Sequence, residues 1–178
     1  MPSVATAIKS LEPSTAAALI AAAGAATIGG FLFFQFGMGL PPCPLCLEQR
    51  YAFYFGVPLA ALLWIGSSYG AKRKILMAGF LVLAGIMIWN AGLGAYHAGV
   101  EWKFWAGPTD CSGPLNDLRG SGGLMNQLQS ISVVRCDQAA WRLFGISLPG
   151  WNVLVSGLLS ALAMLGARAA YRQPDDER

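Results

Sequence analysis

Four stretches of this sequence are too long and too apolar to be the helices of an ordinary soluble core. They run over 15–36, 47–68, 75–97 and 149–170, and the first and third contain no Asp, Glu, Lys or Arg. A helix that crosses the hydrocarbon layer needs about 20 predominantly apolar residues, and each run supplies them. Backbone amides inside lipid must be satisfied within the segment, so apolar runs of this length are read as helices. Pro58 and the many glycines are compatible with that, because spanning helices tolerate both. The chain is 55% hydrophobic and 12% charged, against roughly 25% charged residues in soluble domains. The predicted fold class is therefore an all-α membrane protein, a four-transmembrane-helix bundle forming a single integral membrane domain over 1–178. Lys9 precedes the first run, as in a signal peptide, but the run exceeds the ~7 to 15 apolar residues of such a leader and is read as a span.

Orientation follows from the basic residues, which are retained on the cytoplasmic side when they flank a span closely. Lys72, Arg73 and Lys74 sit between the second and third runs, while Lys9, Arg168, Arg172 and Arg178 lie near the termini. An even number of spans puts these three regions on one face, so both termini are expected to be cytoplasmic. The connections 37–46 and 98–148 then form two loops on the opposite face. Cys43 and Cys46 fall in the first loop, Cys111 and Cys136 in the second, and the chain has no others. All four thus face a compartment in which disulfides persist.

Two structural disulfides would be the plain reading, and it suits Cys111 with Cys136. It suits Cys43 with Cys46 poorly, since a Cys-X-X-Cys bridge closes too small a loop to remove much unfolded-state entropy. Zinc would want a second closely spaced ligand pair, whereas Cys111 and Cys136 are far apart and His97 is the sole histidine; no metal is expected. Haem attachment would want a histidine after Cys46, where Leu47 stands. Redox chemistry remains. Thiol exchange needs a thiolate, and a helix N-terminus or a neighbouring cation lowers a cysteine's pKa. Cys46 lies where the second helix should begin, with Arg50 one turn further along the same face. Arg50 could instead be an interfacial snorkelling residue, but ionisable groups at membrane depth are functional candidates by default. Electrons would enter at Cys111 and Cys136, cross to Cys43 and Cys46 through an interloop disulfide, and leave to a quinone in the membrane.

Four spans, CPLCLEQR opening the second, a long loop with two cysteines and RCDQAAWRLFGISLPGWN leading into the fourth together resemble the DsbB family of disulfide bond formation proteins. The resemblance implies a bacterial inner-membrane enzyme with both cysteine loops periplasmic. It implies that Cys43 and Cys46 are reoxidised by a quinone, ubiquinone or menaquinone, with Cys46 and Arg50 beside its ring. It further implies that Cys111 meets a periplasmic thioredoxin-like partner of the DsbA type and that Cys136 exchanges with Cys43. The catalytic candidates are accordingly Cys43, Cys46, Cys111, Cys136 and Arg50, and the quinone-binding candidates Cys46, Arg50 and His97.

His97 is otherwise read as an interfacial anchor within the aromatic belt of Trp102, Phe104 and Trp105. Asp137 would raise the pKa of Cys136 and Arg135 would oppose it. The Gly-rich segment between Cys111 and Cys136 departs from the best-known members, and its apolar residues from Leu115 to Ile131 suggest either a short surface helix or a mobile loop. YHAGVEWKFW, over Tyr96 to Trp105, resembles a subgroup of the family. A vitamin K epoxide reductase-like protein also carries two cysteine pairs in a helical bundle, but in the reverse order along the chain. A membrane scaffold with two structural disulfides is the non-enzymatic alternative.

Overall fold

The computed structural model describes residues 11–108 and 135–172. Cys111, the segment 112–134 and the tail after Arg172 lie outside the described residues. Among the described residues there are four long helices: α1 (Pro13–Leu32), α2 (Pro44–Ser68), α3 (Arg73–Glu101) and α4 (Leu148–Arg172). All four are long and apolar enough to cross a membrane. A single π-helical turn, Phe33–Gly37, extends α1, and a two-stranded hairpin, β1 (Arg142–Leu143) with β2 (Ile146–Ser147), leads into α4.

Among the described residues the hairpin is the one departure from an all-helical reading. Phe144 and Gly145 both have positive φ, 51° and 79°, as the two central residues of a tight hairpin turn require. The helix ends also differ from the expected spans. Proline is well placed in the first helical turn, where its missing amide is no loss, so α2 starts at Pro44 and takes in Cys46. At its far end α3 runs on past His97 because Ala98, Gly99, Val100 and Glu101 remain buried.

Neighbouring helices pack as α1 on α2, α2 on α3, α3 on α4 and α4 back on α1, closing a four-helix ring. Their shared core holds Ile20, Phe53, Phe80, Leu83, Met87 and Leu159, all essentially inaccessible, with small residues Ala16, Ala17, Ala60 and Ala163 between them. Small side chains bring membrane helices close, where dispersion rather than the hydrophobic effect drives association. The outer surface inverts the soluble pattern. Leu62, Ile88, Trp89 and Leu158 are exposed, while Gln49, Asn90, Asn152 and Ser156 are buried. At the KRK end, Arg73 donates to the Tyr171 carbonyl at 3.2 Å and lies over its ring, tying α3 to the end of α4.

Gly166 of α4 packs closely against a fixed group, since a Cβ there would stand 2.6 Å from the ring of the fully buried Phe80. Gly166→Leu should cost about 1–3 kcal/mol through overpacking, read as a lower melting temperature in detergent. Gly157→Leu, at a position with nothing within 4 Å, should leave it unchanged. Equal losses at the two positions would contradict this register of α3 against α4.

Candidate functional site

Chemistry gathers at the end of the bundle opposite the KRK turn, where α2 begins, α3 ends and α4 begins. Cys43 is the N-cap of α2, in extended conformation, and its sulfur accepts the amide of Cys46 at 3.2 Å. Side-chain acceptors commonly satisfy an orphan amide of this kind; here a sulfur does so. The Sγ atoms of Cys43 and Cys46, both free thiols, are 2.7 Å apart and hydrogen-bonded to each other. Cys43 Sγ also faces His97 Nε2 at 3.7 Å. With an amide and a ring nitrogen already directed at Cys43, negative charge belongs on Cys43 and the proton of that hydrogen bond on Cys46. The hydrogen bond from Cys46 and the His97 ring outweigh burial, and the Cys43 thiol is pushed down to about 5.

That reverses the sequence expectation for the pair, in which Cys46 was the activated thiol. The physical reason is geometric. The helix starts one turn earlier than expected, so its N-terminal amides reach back to Cys43, and Arg50 is occupied elsewhere. Arg50 Nη1 donates to Gln35 Oε1 at 2.6 Å, and the guanidinium lies 5.6 Å from the centre of the Phe31 ring.

Cys136 is disulfide-bonded and buried. Cys43 Sγ, Cys136 Sγ and a His97 ring nitrogen all lie within 4.8 Å of one another, in an apolar nest with Leu45, Val100 and Leu93. This trio resembles a metal-ligand set in geometry but not in chemistry, since a disulfide sulfur is no thiolate. Asp137, next in the chain, is turned outward into a two-point pair with Arg135, at 3.0 and 2.8 Å, with Lys103 at 3.7 Å. Arg135 holds its carboxyl below the usual range, so its charge is neutralised on the surface.

On the other side of Cys46 lies a small cleft of about 60 Å³ among α1, the π turn, α2 and the start of α4. Its walls are mainly apolar, including Phe31, Phe34, Leu40 and Leu148, with Cys46, Arg50, Gln49 and Asn152 among its polar groups. His97 is not among its lining residues. It is buried at 2% exposure on the thiol side, not at the interface, while Trp102, Phe104 and Trp105 form an exposed edge-to-face cluster at the end of α3.

The residues sequence reasoning missed are polar and buried. Gln49 donates to His97 Nδ1 at 2.8 Å and to the Leu45 carbonyl at 3.1 Å, and accepts from Asn152 Nδ2 at 2.7 Å. Asn152 Oδ1 accepts from Asn90 and from Ser156, which in turn accepts from Asn90. Glu101, one turn beyond His97, is buried and takes a hydrogen bond from Ser147. A signal existed: Asn90, Gly94, His97 and Glu101 recur at helical spacing within an apolar run, marking one face of α3.

The family model described as "Disulfide bond formation protein DsbB" matches residues 13–166. The chain belongs to the DsbB family. A relative from Xanthomonas oryzae pv. oryzae (strain MAFF 311018), named disulfide bond formation protein B, is 30% identical over 129 residues, covering 69% of this chain and 72% of the relative. Another of that name, from Xylella fastidiosa (strain Temecula1 / ATCC 700964), is 28% identical over 147 residues, covering 80% and 83%. No solved structure matches. As a DsbB-family member the chain is a multi-pass membrane protein of disulfide bond formation, a disulfide oxidoreductase that works with a thiol-disulfide partner protein.

In the reduced protein, Cys43 should be mostly thiolate at pH 7, and its alkylation rate should halve only near pH 5. His97→Phe removes one of the groups that lower the pKa and should move that midpoint upward by about one pH unit. Mass-spectrometric counting of alkylated Cys43 against pH checks both. A midpoint near 8.5 in the unaltered protein would contradict the geometry.

Proposed function

We propose that this protein reoxidises a periplasmic thioredoxin-like protein of the DsbA type and delivers the electrons to a membrane quinone. The observation that carries the reading is that Cys43 and Cys46, touching each other, face opposite ways: Cys43 toward the Cys136 disulfide and Cys46 into the apolar cleft. The cleft offers a quinone head group apolar walls and, with the thiol of Cys46, the buried cation Arg50 among its lining residues. A quinone bound there would accept two electrons and two protons.

The protein's own residues account for the rest. The partner's thiolate attacks Cys111 of the loop disulfide and Cys136 leaves as a thiolate; the partner's second thiol then closes the partner's disulfide and frees Cys111. Cys136 next attacks Cys43 of an oxidised Cys43–Cys46 pair, the bond between those two breaks, and Cys46 leaves and takes up a proton. Cys111 then attacks Cys136, restoring the loop disulfide and expelling Cys43 as a thiolate. Two thiols have been oxidised and one disulfide reduced. Exchange is faster when the leaving thiol has a low pKa, and stabilising the reduced form makes a disulfide a stronger oxidant; the hydrogen bonds to Cys43 act in both ways. Arg50, held by Gln35 and Phe31, presents fixed positive charge to the cleft in a setting of low dielectric.

In this reading the cysteine end faces the periplasm of a bacterial inner membrane and the KRK turn faces the cytoplasm. The test is turnover of purified protein with a reduced thioredoxin-like donor and ubiquinone or menaquinone. Arg50→Met should lower quinone turnover on the order of 10²-fold, the scale for losing one preorganised electrostatic group, and Arg50→Lys should lower it less. Both should exchange disulfides with the donor normally in a single turnover. Unchanged quinone kinetics in Arg50→Met would reduce Arg50 to an interfacial anchor.

A further inference from the structure

Gln49 stands between the two halves of the site and touches neither sulfur. Its orientation is fixed from the backbone. The Leu45 carbonyl is an acceptor only, so the atom facing it at 3.1 Å must be the amide nitrogen. The amide oxygen must then face Asn152, whose Nδ2 donates to it at 2.7 Å. The orientation propagates outward: Asn152 Oδ1 is left to accept from Asn90 Nδ2 at 3.2 Å and from the Ser156 hydroxyl at 3.3 Å, while Asn90 also donates to Ser156 at 2.9 Å. Three helices thus lock one amide.

The consequence falls on His97. Gln49 Nε2, a donor, sits 2.8 Å from His97 Nδ1, so that ring nitrogen must be an acceptor without a hydrogen. A neutral imidazole then carries its single proton on Nε2, the atom 3.7 Å from Cys43 Sγ. We propose that Gln49 is a positioning residue for thiol exchange: clamped by Leu45 and Asn152, it sets the His97 tautomer so that Nε2–H is always presented to the Cys43 sulfur. The same arrangement denies a metal ion the Nε2 lone pair. The consequence for rate rests on the thiol relay proposed above; the tautomer does not. The titratable groups facing Cys43 are Cys46 from α2 and His97 and Glu101 from α3, with Cys136 held in its disulfide; Arg50 is turned to the cleft.

Because the chain has one histidine, ¹⁵N-histidine labelling of the full-length protein in detergent reports a single ring. The reduced protein at neutral pH, with neither quinone nor partner added, should show a protonated Nε2 and an unprotonated Nδ1. Protonation on Nδ1 alone would overturn the proposal, whatever the outcome of the quinone assays. Gln49→Leu removes the donor to Nδ1 and should shift the ring toward a mixture of tautomers, with Cys43 alkylation at pH 5 slowed by up to about fivefold, the bound set by the one-unit shift expected of His97→Phe. Gln49→Glu can accept from a protonated Nδ1 while Nε2 keeps its hydrogen, so it should show both nitrogens protonated and recover Cys43 reactivity relative to Gln49→Leu. Asn152→Ala, which frees the amide oxygen of Gln49, should loosen the tautomer in the same direction as Gln49→Leu. A single Nε2–H tautomer and unaltered Cys43 reactivity in Gln49→Leu, or no recovery in Gln49→Glu, would make Gln49 a packing residue only.

Discussion

A sulfur atom acting as a helix cap is the contact on which the site depends. By accepting the Cys46 amide, Cys43 fixes where α2 begins and receives the positive end of the helix dipole, which favours an anion there. The sulfur is thereby held against His97 on one side and beside the Cys136 disulfide on the other. Were α2 to begin a turn later, Cys46 would be the cap, Arg50 would shift relative to the cleft, and no sulfur of the pair would face Cys136. Pro44, favoured in the first turn of a helix, secures this start.

The bundle around that contact serves two incompatible solvents. Its surface is apolar for lipid, and its interior carries amides, a hydroxyl and an imidazole that in other helical proteins would face water. Much of this polar interior is tolerated because groups on neighbouring helices pair: Asn90 of α3 donates to Asn152 and Ser156 of α4, and Asn152 donates to Gln49 of α2, while Asn90 Oδ1 is buried without a hydrogen-bond partner. Interhelical hydrogen bonds of this type contribute about 0.6–2 kcal/mol each in membranes. The modest energy matters less than the direction it imposes, since one chain of donors and acceptors runs from the middle of the bundle through His97 to the Cys43 sulfur.

The spans and the grouping of the cysteines were legible because both are local. A run of 20 apolar residues and a Cys-X-X-Cys ahead of one need no knowledge of tertiary structure. What was not legible depended on pairs far apart in the chain. Gln49 and Asn152 are separated by about a hundred positions, and nothing local says that they touch. His97 was placed with its aromatic neighbours at the interface because it closes an apolar run, whereas burial turns it inward; the stripe of Asn90, Gly94, His97 and Glu101 held that information. The activated thiol was assigned to Cys46 because Arg50 lies one turn away, but sharing a face brought both into the cleft without bringing them into contact. Cys111, which the proposed relay places at the partner, lies outside the described residues, and only the sequence and the family speak to it.

In the proposed relay, Cys43 is the sulfur through which the loop and the membrane pair communicate. The most direct measurement uses protein carrying Cys46→Ser and Cys111→Ser, which leaves Cys43 and Cys136 as the only thiols. Mild oxidation and non-reducing peptide mass spectrometry should find them joined in nearly all molecules, because the two sulfurs already lie within 4.8 Å. If this variant stays reduced while one retaining only Cys46 and Cys136 forms its bridge readily, Cys46 is the exchanging sulfur and the account is wrong.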